Sequence, residues 1–327
     1  MAATKVHPVP GRGQSHGCGD TVAIRRPVTI MSVACARASP YTPAMPRVAL
    51  HRLPLATIAV ILLAGQPAAW AQDASPWNQE AHAAARLIAG ATVKTAGTTA
   101  VRAGIEIRLD PGWKTYWRDP GDSGVPPTLD FSGSQNVKSV TVLWPAPERF
   151  ADGAGGNSIG YFGHIILPLR VAPEDAATQP SLHVKFGYAI CGNLCVPAQA
   201  DLQLGLSGDG AEEIAIEKAE LRVPRRVALG EGRDLAVRWV HRETDGAHGH
   251  VVVEVAAPKD TAVELFVEGP TPDWALPLPE LTASIGDTRR FTFDLDGLPP
   301  GAQAEGATLT FTAVSDDDAI EVPVHLD

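Results

Sequence analysis

The residues whose types and spacing could do chemistry are two cysteines in the run Tyr188-Ala189-Ile190-Cys191-Gly192-Asn193-Leu194-Cys195-Val196-Pro197, at the end of an apolar stretch. A disulfide between them closes a loop of only five residues. On the chain-entropy view such a loop adds about 2 kcal/mol of stability, against about 4.7 for a hundred-residue loop. A bond that stabilises so little is more readily explained as one that is made and broken. Thiol-disulfide exchange needs an attacking thiolate, a second thiol to resolve the mixed disulfide, and access for the partner. A C-x-x-x-C supplies both sulfurs together, with Gly192 and Asn193 expected to take positive φ in the turn and Pro197 to stiffen its exit. Two other readings stay open at this point: a small structural staple, and a Cu(I) site, which two soft thiolates would suit.

Seven histidines follow residue 71, but none lies within five residues of the cysteines, and no methionine follows Met45. The expectation is therefore no cofactor and no metal. His248-Gly249-His250 would place two rings on one strand face, and reads as an exposed polar face. Patterns for other catalytic chemistry are missing: there is no G-x-S-x-G, no H-E-x-x-H, no G-x-x-x-x-G-K-[ST] and no dinucleotide fingerprint.

Aromatic residues are the other candidates. Residues 111–127 open with Trp113, Tyr116 and Trp117 and continue into a Gly/Pro/Asp turn, which reads as a surface platform beside a loop. Such rings could shield a reactive disulfide or dock a partner. Taken singly, each is more often a packing residue. A third stretch, Trp144-Pro145-Ala146-Pro147-Glu148-Arg149-Phe150, leads through the glycine-rich residues 151–160 to Tyr161 and Phe162. It reads either as a lid or as a plain loop. The expected shielding or docking residues are Tyr116, Trp117, Tyr161, Phe162 and Tyr188.

The elements that must position these residues read as strands. Residues 86–93, 100–110, 137–144, 164–171, 182–190 and 198–206 alternate or run apolar between Gly, Pro, Asn and Asp clusters. Residues 211–221 carry the best helical periodicity and precede Pro224. Six more short strands are expected at 235–241, 249–256, 262–268, 289–295, 307–314 and 320–326. The expected fold class is all-β, with two immunoglobulin-like β-sandwich domains joined by a short helical linker. The expected boundaries are 72–208 for the cysteine-bearing domain, 209–223 for the linker and 224–327 for the second sandwich.

Of the 327 residues, 45% are hydrophobic and 20% charged, a globular composition. Net charge is −10, but residues 1–71 hold seven Lys and Arg against one acid, leaving 20 basic against 36 acidic residues, or −16, in 72–327. An acidic body argues against nucleic acid, which is bound by neutralising phosphates. The head reads as an upstream extension plus a signal peptide. Arg47 and Arg52 precede an apolar run at 53–64, and Ala69-Trp70-Ala71 fits a cut after Ala71. That run is too short to span a bilayer. The signal fits best with a start at Met45 rather than Met1 or Met31. Removal of the head takes Cys18 and Cys35 with it and leaves Cys191 and Cys195, which in an exported chain are expected to bond.

Four motifs, G-W-K-T-Y-W at 112–117, W-P-A-P-E-R-F at 144–150, G-Y-F-G-H-I-I-L-P-L at 160–169 and Y-A-I-C-G-N-L-C-V-P at 188–197, occur in this order. Together they resemble the N-terminal periplasmic domain of the protein-disulfide reductase DsbD, and more closely its ScsB-type relatives, over about 80–206. The resemblance implies an immunoglobulin-like domain in the periplasm whose cysteine pair passes electrons from a membrane-embedded thiol-disulfide donor to thioredoxin-like or disulfide isomerase clients. It further implies that Cys191 and Cys195 are the redox pair, that Cys195 forms the mixed disulfides, and that the loop before Tyr161 is a cap over them. Here Gly153 to Ser158 is small and polar, where the DsbD cap is acidic and aromatic. The chain has neither the transmembrane nor the thioredoxin domain of DsbD, so electrons are expected to arrive in trans. Cytochrome c biogenesis and copper tolerance are the processes to which the likeness points.

Overall fold

The computed structural model describes residues 73–95, 98–153, 155–243, 249–316 and 318–327. The basic head, with Cys18, Cys35, the alternative starts and the expected cut after Ala71, lies outside them, as does His248. Among the described residues a single helix forms, no helix is long and apolar enough to cross a membrane, and the expected strands appear within three residues of their expected ends.

Period-two alternation places the core. Ala83–Thr95 and Thr98–Leu109 pair antiparallel, with Leu87 opposite Ile105 and Ala85 opposite Ile107. They sit in a five-stranded sheet ordered Asn78–Gln79, Ala83–Thr95, Thr98–Leu109, His164–Pro173, Val137–Val142. A second sheet runs Cys195–Gly205, Ser181–Cys191, Lys114–Gly121, Asn157–Phe162, Glu148–Ala151, and Thr128–Asp130 also pairs with Ser181–Cys191. Leu182, Val184, Phe186, Tyr188 and Ile190 turn their alternate face into one core with Leu87, Ile105, Ile107 and Leu169, leaving Ala189 and Cys191 on the opposite face.

The stretch expected to be a surface platform is instead the strand Lys114–Gly121 in the middle of this second sheet. Trp113 packs against the core, Trp117 is fully buried within it, and Tyr116 lies with Ala189 and Cys191 on the other face. Its run of buried residues does not alternate, because both faces of the strand are covered.

The helix, Glu213–Glu220, lies within the expected 211–221. It buries Ile216 and Ala219 against Ile88 and Ile166. Arg102 pairs with Glu213 and Glu217, and Arg170 with Glu220, which ties the helix to the first sheet.

Beyond it lie two four-stranded sheets, Arg225–Arg226, Ala319–His325, Thr308–Ser315, Val263–Glu268 and Ala236–Glu243, His250–Ala256, Thr288–Asp294, Glu280–Ile285. Val251, Val253, Phe291, Phe311 and Val322 form their own core. Phe266 and Leu278 from this half enter the first core, where Phe266 packs 6.0 Å from Trp117. Two arginines join the halves. Arg118 donates to both oxygens of Glu268 at 2.7 and 2.6 Å and to Glu321 at 2.7 Å. Arg149 donates to the carbonyls of Leu265 and Pro279, each at 3.0 Å.

Candidate redox site

Cys191 and Cys195 are disulfide-bonded, with their Cα atoms 4.1 Å apart. The hairpin that carries them pairs without a slip from Ser181 opposite Gly205 to Cys191 opposite Cys195, so the two cysteines are the closing cross-strand pair. The turn between them is closed by the Gly192 N–H donating to the Leu194 carbonyl at 3.1 Å. Neither Gly192 nor Asn193 takes positive φ, contrary to expectation. The glycine serves close approach instead, because a Cβ on Gly192 would lie 3.1 Å from the Trp113 indole. That indole stacks in turn on His82, with ring centroids 3.7 Å apart.

The two sulfurs differ in environment. Cys191 is 1% exposed and forms a buried cluster with Tyr116 and Ala189, against which Phe150 packs. Cys195 is exposed, as is Leu194 beside it at 71%. The Tyr116 hydroxyl donates towards both sulfurs, 3.1 Å to Cys191 Sγ and 3.4 Å to Cys195 Sγ. Burial pushes the Tyr116 hydroxyl above its ordinary pKa, a hydrogen bond with Ser158 opposes this, and the Asp152 carboxylate adds to it. The phenol therefore stays a proton donor through the neutral range.

Of the other expected aromatics, Phe162 is exposed and meets Phe150 edge-on at 5.3 Å. Three others of the expected shielding or docking residues are buried in the core. Trp117 is fully buried with its indole N–H unpaired. Tyr161 is buried and donates to the Pro145 carbonyl at 2.8 Å. Tyr188 is buried, stacked 4.5 Å from Phe186, and its hydroxyl is pushed up to about 12 by burial, with Glu80 adding to the shift. The reason is strand parity: these three side chains fall on the inward face of their strands, whereas Tyr116 falls on the outward one.

The sequence reading places Phe150 in the stretch that reads as a lid or a plain loop, without naming it among the shielding residues. Its ring lies 6.4 Å from that of Tyr116, with the Lys114 ammonium 4.0 Å above it. It lies on the edge strand Glu148–Ala151, three residues before Gly153, so the ring that packs on the Tyr116–Cys191 cluster precedes the glycine-rich loop expected to be the cap. Asp152 and Asn157 are tied to the turn at 122–123. Ser123 donates to Asp152 at 2.8 Å, and the Asn157 N–H donates to Asp122 at 2.9 Å.

The hairpin thus closes on a disulfide with one buried and one exposed half-cystine, in an all-β domain. Residues 84–207, which include both cysteines, match the family model described as thiol:disulfide interchange protein DsbD, N-terminal, and this segment is a DsbD-type N-terminal domain. The fold is similar to that of the N-terminal periplasmic domain of ScsB from Proteus mirabilis, at 23% identity and a TM-score of 0.60, covering 78% of this chain and 99% of that one. That share of the chain is larger than residues 84–207, so the likeness in fold reaches into the C-terminal sheets. Comparison with curated proteins gives no match.

Proposed function

We propose that this chain is a periplasmic thiol-disulfide interchange protein in which Cys191 and Cys195 carry two electrons between a membrane-embedded dithiol donor and thioredoxin-like or disulfide isomerase clients. It would act as a protein-disulfide reductase component with its partners in trans. The two cores support a reading of two immunoglobulin-like sandwiches, 72–208 and 224–327, with 209–223 joining them.

The observation that carries the reading is the unequal exposure of the bonded sulfurs. In the reduced pair, the Cys195 thiolate is the one that can reach a client disulfide. Its attack forms a Cys195–client disulfide and releases one client sulfur as a thiolate. The Cys191 thiolate then attacks Cys195 Sγ, breaking the mixed disulfide and releasing the second client thiolate. The client gains two electrons, the pair becomes a disulfide, and both client thiolates take protons from water. The donor dithiol restores the pair by the same steps reversed, with attack again at exposed Cys195 and Cys191 leaving beneath the Tyr116 hydroxyl.

The test is trapping. A Cys191→Ser variant keeps the attacking sulfur and loses the resolving one, so it accumulates discrete mixed disulfides in periplasmic extract. A Cys195→Ser variant yields few. Absence of adducts with Cys191→Ser, or equal yields from both variants, refutes the assignment.

A further inference from the structure

The edge strand Glu148–Ala151 holds Phe150 on one face and an anchor on the other. Phe150 packs on the Tyr116 and Cys191 side. Arg149, adjacent in the chain and so on the opposite face, reaches into the C-terminal half, where its guanidinium donates to the Leu265 and Pro279 carbonyls and its side chain is 19% exposed. The Arg149 backbone N–H donates to Glu264 at 3.1 Å. Within its own sheet the strand pairs only with Asn157–Phe162, over four residues. A short edge strand with one partner opens easily unless something outside the sheet holds it. Every contact that holds Arg149 from outside comes from residues 264–279.

We propose that Arg149 is a positioning residue through which the C-terminal half keeps Phe150 over Cys191, so that only Cys195 is open to attack. The C-terminal sheets are then part of the redox unit and not a spacer. Mixed disulfides form at one sulfur because the other is kept covered by an arginine whose own partners lie across the domain junction. This inference rests on the proposed interchange reaction for its purpose, but its geometry can be tested without any partner.

The experiment uses the full chain with Cys195→Ser, so that Cys191 is the only thiol of the pair. Iodoacetamide is the probe, and modification is read by mass spectrometry on the peptide containing Cys191. Adding Arg149→Ala is expected to speed alkylation of Cys191 about tenfold, in line with loss of charge-assisted bonds that hold a local opening closed. Phe150→Ala gives a similar increase, and the combination of the two gives no more than Phe150→Ala alone. That non-additivity is the signature of action through Phe150, which general destabilisation would not reproduce. Glu264→Ala removes the anchor on the Arg149 backbone N–H and the 3.9 Å ion pair with its guanidinium, and must raise the rate in the same direction, which keeps the test available if Arg149→Ala does not fold. An unchanged rate in Arg149→Ala, or increases that multiply in the double variant, overturns the proposal. Failure of the interchange reading would show instead as an absence of adducts with Cys191→Ser, whatever these rates are.

Discussion

Replacing Tyr116 by Phe removes one hydroxyl and leaves the ring that packs against Phe150 and Ala189. The hydroxyl points at both sulfurs from 3.1 and 3.4 Å. Its worth depends on what it faces: a hydrogen bond to a charged acceptor contributes roughly 1.5–3 kcal/mol, and one to a neutral acceptor roughly 0.5–1.5. The disulfide offers a neutral sulfur and the reduced pair a thiolate, so Tyr116 favours the reduced state by about 1 to 1.5 kcal/mol. For a two-electron couple about 1.4 kcal/mol corresponds to about 30 mV. Tyr116→Phe should therefore lower the reduction potential by about 20–30 mV and raise the pKa of the thiol it serves by about one unit. The sign with pH follows from the same balance. Below the thiol pKa the reduced pair is a dithiol and the two proteins converge, whereas above it a thiolate is present and the gap is fully open. Titration against glutathione with alkylation as readout, at about pH 7 and about pH 9, measures both effects. A potential that is unchanged or higher in the variant at the upper pH, or a gap that narrows as pH rises, refutes the reasoning.

Two other outcomes follow from the ion pairs. Arg118→Ala leaves Glu268 and Glu321, both on the C-terminal side, without this partner at a mostly buried junction, and should cost about 3 kcal/mol in urea unfolding; a loss under about 1 kcal/mol would show that the junction does not depend on it. Burial pushes the Glu106 carboxyl up, but Arg86, His164 and Arg108 outweigh this and hold it below its ordinary range. Its contribution is therefore present above the unfolded pKa and lost as pH falls through the depressed folded value. Glu106→Gln should be less stable than wild type at neutral pH, and the difference should close in acid. A gap in thermal unfolding that is constant with pH would contradict this.

The strands whose inward apolar residues alternate with polar or small ones were legible from that alternation. Val101, Ala103, Ile105, Ile107 and Leu109 fall on one face in the sequence and in the core. Lys114–Gly121 was not legible, because Trp113 and Trp117 go to the core while Tyr116 goes to the disulfide, and a strand covered on both faces loses its period. Phe150 was hidden for a different reason. Its strand has four residues and follows Pro145 and Pro147, so too little pattern surrounds it. The cysteines could be found by type, spacing and resemblance, but the inequality between them could not. It arises from the register that sets Cys191 opposite Lys114, beside Tyr116, while Cys195 begins an edge strand.

The position of the pair at the closing rung of the hairpin has a consequence for how its state is communicated. Below the sulfurs, ten further cross-strand pairs from Ile190–Val196 to Ser181–Gly205 fix the path of both strands. Breaking the S–S bond leaves that ladder in place, so the oxidised and reduced molecules share one scaffold and interconvert without refolding. On the interchange reading proposed above, a partner would meet the same scaffold in both states and would distinguish a full carrier from an empty one at the tip itself, by the charge and nucleophilicity of a single exposed sulfur.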